Sequence, residues 1–136
     1  MIAYQTKVKK IGATRYKEIW KKVRIYWSKV KRRTKRKPYV RSAYFNKQKI
    51  FFDFFWIHLS QKSPKQRRKR LQYFPCAVDL IKQSKNKPAS KINPNKSTEI
   101  LHRFAGLTKN KELFFVQIKE NIKTDRKQLM SIFPGE

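Results

Sequence analysis

The stretch at residues 99–134, EILHRFAGLTKNKELFFVQIKENIKTDRKQLMSIFP, decides how this chain is read. Three segments rich in strand-forming residues, 99–107, 113–119 and 128–133, are separated by TKNK at 108–111 and by a polar turn at 121–126. Runs of this kind bounded by turn residues are strands joined by hairpins, which predicts an antiparallel meander. Side chains alternate between the two faces of a strand. Phe114, Val116 and Ile118 should therefore share a face with Met130 and Ile132, leaving Gln117, Lys119 and Ser131 together on the other.

Upstream of this meander the composition changes. Residues 85–97 hold prolines, asparagines and serines with almost no large apolar side chain, and read as an exposed linker. Residues 1–84 read as a basic helical part. From Thr14, the expected N-cap, to about Arg33, residues Tyr16, Ile19, Trp20, Val23, Tyr26, Trp27 and Val30 recur at the three- and four-residue steps of one helical face. A charged run then ends at Pro38. Residues 39–59 are the most aromatic part of the chain, consistent with a strand followed by a buried helix. Ser63 and Pro64 read as N-cap and first residue of a helix running to about Gln83, with a kink at Pro75. The expected fold is a single α+β domain over 1–136, with N-terminal basic helices packed on a C-terminal antiparallel sheet of three or four strands.

The charge points to a partner. The chain carries 36 Lys and Arg against 8 Asp and Glu, a formal net charge of +28 on 136 residues. Such a field repels itself and attracts polyanions. Glu18, Asp53 and Asp79 are the only carboxylates before Thr98, so the positive charge belongs mainly to the first two-thirds. With 10 Phe, 6 Tyr and 3 Trp the chain has enough apolar surface to offset ordering entropy, unlike a disordered polycation. Phosphate contacts are expected from Lys21, Lys22, Arg24, Lys29, Arg32 and Arg33 on the first helix, and from Arg67, Arg68 and Arg70 in the QRRKR run. The interleaved Tyr16, Trp20, Tyr26 and Trp27 fit base stacking, though their periodicity fits core packing as well.

Several chemistries find no residues here. No carboxylate cluster suits a metal-dependent nuclease, and three glycines, Gly12, Gly106 and Gly135, build no phosphate-cradling loop. Cys76 is the lone cysteine, which excludes an intrachain disulfide and a cysteine-pair zinc site and suits a reducing, cytoplasmic setting. No run reaches the ~18 apolar residues of a membrane span. No metal, cofactor or membrane is expected. Metal-free RNA cleavage needs only proton transfer groups and cations around the phosphate, because RNA supplies its own 2′-hydroxyl nucleophile.

His102-Arg103-Phe104, the Phe115-x-Gln117 strand with Lys119, and the Ser131-x-Phe133-Pro134 ending resemble the C-terminal sheet of the barnase/EndoU/colicin/RelE-like nuclease superfamily, especially its phage- and mobile-element-associated branches. The resemblance covers residues 98–134, and the basic region before residue 84 follows no pattern of that superfamily. It implies an α+β fold and a metal-independent, toxin-like endoribonuclease acting on RNA in the cytoplasm. It also assigns roles. His102 would be the acid/base, Arg103 and Lys119 would contact the scissile phosphate, and Gln117 and Ser131 would orient it. His58, the other histidine, reads as a helix-end or core residue between Ile57 and Leu59. The partners so expected are an RNA, of transfer or ribosomal type, and an acidic inhibitor or immunity protein drawn by the same field. The alternative is a non-catalytic nucleic-acid-binding module, ribosome-associated or architectural, in which His102 and Ser131 are structural.

Overall fold

A computed structural model describes residues 1–135 as an α+β fold. In chain order its elements are β1 (Tyr4–Gln5), α1 (Tyr16–Arg32), β2 (Tyr39–Ser42), β3 (Gln48–Phe51), α2 (Asp53–Ser60), α3 (Pro64–Gln72), α4 (Phe74–Gln83), β4 (Ala89–Ile92), β5 (Glu99–Leu107), β6 (Leu113–Asn121) and β7 (Lys127–Pro134).

The meander of β5, β6 and β7 is present, but it is the centre of a larger sheet. Seven strands run in the order β1-β5-β6-β7-β3-β2, with β4 also paired to β5. The sheet is mixed, because β1 lies parallel to β5 and β3 parallel to β7. The expected three- or four-stranded antiparallel sheet is thus too small and too uniform. The strands outside the meander are two to four residues long, too short to show an alternating pattern; residues 39–59, read as one strand followed by a buried helix, hold two strands, β2 and β3, before α2. The supposed linker contains β4, whose four residues are all exposed, so its polar composition reflects an edge rather than a loop. Nor do the helices form an N-terminal block, since β2 and β3 fall between α1 and α2.

Local signals explain the helix limits. α1 buries Ile19, Val23 and Val30 as the periodicity predicts, but it starts at Tyr16 after an extended Arg15 that makes no side-chain cap bond, instead of at a Thr14 cap. Ser63 does cap α3, accepting a hydrogen bond from the Gln66 backbone N–H at 3.3 Å. The kink expected at Pro75 is a complete break. Pro75 lacks the donor that a continuing helix needs and sits in the first turn of α4, where that donor is not required.

The core lies on one face of the sheet. Phe104 of β5, Phe114, Val116 and Ile118 of β6 and Leu129 and Ile132 of β7 are buried there against Leu71, Phe74, Leu80 and Ile81 of the helices. Met130 does not join them. Gln117 pairs with Ser131 and Ile118 with Leu129, so Met130 is the extra residue of a β-bulge. The bulge shifts the alternation by one, Leu129 takes the core position, and Met130 instead approaches the Gln117 amide, with Sδ 3.7 Å from Nε2.

Gly106 marks where this packing is tightest. A Cβ added there would lie 2.6 Å from Phe114 Cε1, with Cζ of the same ring closer still, and 2.9 Å from Leu80 Cδ1, both side chains of the core. Gly106→Ala is therefore expected to destabilise the protein by about 1–3 kcal/mol through overpacking. Chemical denaturation with an unchanged midpoint would refute that.

Candidate nucleic-acid interface

The opposite face of the sheet gathers polar and cationic side chains because each alternates with a core residue. Arg103 of β5, Gln117 of β6 and Ser131 of β7 form one cross-strand row. Two residues along, Lys119 pairs with Gln128. Four of the five expected site residues, Arg103, Gln117, Lys119 and Ser131, thus share this face. Phe115 and Phe133 sit beside them with ring centroids 5.5 Å apart, and the Arg103 guanidinium lies 5.4 Å from the Phe133 ring.

One wall of the groove comes from α2 and α3, which pack beside β7. The Phe54 backbone N–H donates to Gln128 Oε1 at 3.1 Å, which fixes the start of α2 against the strand. The Phe54 ring then lies under the Lys119 ammonium at 3.4 Å and stacks on His58 one turn later, with centroids 5.8 Å apart and planes 16° from parallel. From α3, Arg70 donates to the Ser131 hydroxyl and lies 5.9 Å from the Phe133 ring. Burial draws the Arg70 guanidinium below its ordinary range. His58 is lowered from 6.5, first by burial and then by repulsion from Lys62, Arg70 and Lys119. A neutral imidazole beside several cations is the state a proton acceptor needs at neutral pH.

His102, the fifth expected residue, is elsewhere. It pairs with Ile118 and faces the core side of β5, where it is buried. Its Nδ1 lies 2.7 Å from Ser90 Oγ and its Nε2 2.8 Å from Glu120 Oε1, with the Phe45 ring against it at 5.0 Å. Glu120 also approaches the buried Lys127 at 3.7 Å, and Lys127 reaches Asp125 at 2.8 Å. Both ring nitrogens of His102 are thus engaged on the face away from Lys119 and Ser131. The reason is parity, since His102 is one residue from Arg103.

The cations expected to bind phosphate divide in the same way. Lys21, Lys22, Arg24, Lys29, Arg32 and Arg33 are exposed on and just after α1, which packs on α3, α4 and β2. Arg67 and Arg68 are half-buried on α3, and of the nine only Arg70 reaches into the groove. Trp20 and Trp27 serve packing instead of stacking on a ligand, meeting Trp56 at 5.6 and 5.0 Å. Sequence reasoning gave no site role to Phe54, Phe115, Phe133 or Gln128, and read His58 as a helix-end or core residue; it does lie in the last turn of α2, but it borders the groove. The four-residue spacing of Phe54 and His58, on a helix whose Phe55 and Leu59 form the buried face, is the signal that could have found two of them.

Among the described residues no three His, Cys, Asp or Glu side chains gather as a metal-ion site, and no helix is long and apolar enough to cross a membrane. No protein-family model, no curated protein and no solved structure matches this chain, so the reading of the groove rests on its own geometry.

Proposed function

We propose that the chain binds single-stranded RNA across the open face of the sheet and cleaves it without a metal ion. The observation that carries this reading is the convergence of Arg70, Arg103, Lys119, Gln117 and Ser131 beside the one histidine, His58, that borders the same groove. Cations along the groove attract the backbone, and Phe115 and Phe133 offer flat surfaces for bases. In the chemical step His58 takes the proton of a 2′-hydroxyl, whose oxygen bonds to the adjacent phosphorus. The bond from phosphorus to the 5′-oxygen breaks, and Lys119 protonates the departing oxygen. Arg70 and Arg103 stabilise the additional negative charge on the phosphorane. The products are a 2′,3′-cyclic phosphate and a free 5′-hydroxyl. This keeps the nuclease reading suggested by the superfamily resemblance, with an acidic inhibitor as a matching protein partner, but it moves the acid/base from His102 to His58.

The test is incubation of the purified protein with total RNA in EDTA, with the ends of the fragments identified chemically. Cyclic phosphate ends are the expected result. Binding should also weaken steeply with salt. If the three groove cations, Arg70, Arg103 and Lys119, each neutralise a phosphate, log K should fall with log salt at a slope of about −2. RNA that is bound with this slope but stays intact at every pH would leave a non-catalytic binding module. The enclosure of His102 favours that second reading, because it leaves the groove a single imidazole.

A further inference from the structure

The geometry points to a second binding site, for one unstacked nucleotide of the same RNA strand, in the cleft between the C-terminal end of α1, the edge strand β2 and α4. This inference rests on the RNA-binding reading above, though not on catalysis. The cleft has a volume of about 440 Å³, within the range of sites that enclose a small molecule. Its lining is divided chemically. Val30, Val40 and Val78 form an apolar floor, Tyr26 and Tyr39 bring aromatic rings, and five cations, including Lys29, Arg33, Arg41 and Lys82, stand around them. Among the described residues no carboxylate lines it. An inorganic anion would need only the cations, whereas a nucleotide uses all three parts, with its base on the apolar and aromatic surfaces and its phosphates at the rim.

The cleft is joined to the groove. Lys119, Gln128, Phe51 and Tyr39 form one cross-strand row from β6 to β2, three strand spacings or about 14 Å long. Along it the Arg126 guanidinium covers Phe51 at 3.9 Å, and the Lys49 ammonium lies 4.8 Å from the Tyr39 ring. Tyr39 and Phe51 themselves meet edge to face at 5.9 Å. A strand leaving Lys119 would therefore pass alternating cations and rings before Tyr39 brings it to the cleft. Lys29 and Arg33, expected from sequence to bind phosphate, acquire a specific position here, on the far side of the β2 edge from the sheet groove.

The test uses the full chain and a 2′-O-methyl RNA octamer carrying one 4-thiouridine, which the protein cannot cleave. Irradiation should attach the thiobase to a peptide containing Tyr26 or Tyr39. Tyr26→Ala should weaken octamer binding about tenfold, as loss of one stacked base requires, while leaving inorganic polyphosphate binding unchanged. Because Tyr26 is half-buried, Arg33→Glu/Lys82→Glu provides a second variant at exposed positions, with the same expected loss of octamer affinity. Cleavage of the dinucleotide UpA, too short to span both sites, should be unaffected in both variants. Cross-links confined to other peptides, octamer affinity unchanged in both variants, or equal losses for octamer and polyphosphate in Tyr26→Ala would overturn the second site. If wild-type protein cleaves neither UpA nor longer RNA while the octamer results hold, the catalytic reading fails and the cleft stands.

Discussion

His58→Ala is expected to lower RNA cleavage by about 10²–10⁴-fold, the usual contribution of a positioned acid/base group, with little change in RNA affinity. The imidazole is half-buried at the rim near the end of α2, and the packing lost with it is its stack on Phe54. In the proposed reading, RNA binding rests on cations that the substitution leaves in place. The pH profile provides a separate check. Burial and the three neighbouring cations hold His58 below 6.5, so the neutral form persists into mildly acidic solution and the acid limb of the rate should lie below 6.5. The stability linkage has the corresponding sign. A histidine whose folded pKa is depressed contributes stability that is complete above 6.5 and is lost as pH falls through the folded value. His102→Ala should behave differently. It removes the partner of Ser90 and Glu120, leaving Glu120 beside Lys127, so its loss should appear in unfolding free energy instead of the chemical step. A folded His102→Ala protein that binds RNA but no longer cleaves it, with His58→Ala active, would reverse the assignment.

The contrast between the two histidines shows which parts of the site were legible. Strand parity alone put Gln117, Lys119 and Ser131 on one face, and the structure places them so, with Arg103 joining by cross-strand pairing. Applying the same parity to His102 would have set it opposite Arg103. The resemblance to a nuclease sheet, which takes His102 and Arg103 as a unit, overrode that. Met130 was lost for another reason. A bulge is a one-residue slip set by how two strands meet, and nothing within residues 128–133 announces it. Phe54, His58 and Arg70 were illegible as groove residues because their position depends on α2 and α3 packing beside β7, a contact across some 60 to 75 residues of chain. β1 and β4 were hidden by brevity and exposure, whereas the long amphipathic α1 and the Ser63 cap were plain from local pattern.

Phe74→Ala is expected to cost about 3–5 kcal/mol in unfolding free energy, the range for deleting a buried aromatic ring. Phe74 has no exposed surface, and four aromatic rings surround it, with centroids at 5.5 Å (Trp56), 6.0 Å (Phe52), 6.1 Å (Phe55) and 6.4 Å (Trp27). They come from α1 and from the start of α2, so a cavity at this position loosens the packing of both against α4. Denaturant titration should show a lower midpoint with an unchanged slope, and Phe74→Leu, which keeps most of the volume, should cost less than about 1.5 kcal/mol. A loss below about 1 kcal/mol in Phe74→Ala would mean that the rings repack without it. The effect should extend to the groove. Phe55 and Trp56 anchor α2 in this cluster while Phe54 and His58 face Lys119 from the same helix. Displacing α2 by about 1 Å relative to β7 would cost up to about a hundredfold in rate if His58 is the proton acceptor. Phe74→Ala assayed where it is still fully folded should therefore cleave RNA more slowly than Phe74→Leu, although neither side chain touches RNA. Equal rates would show that the cluster supports the fold but does not position His58.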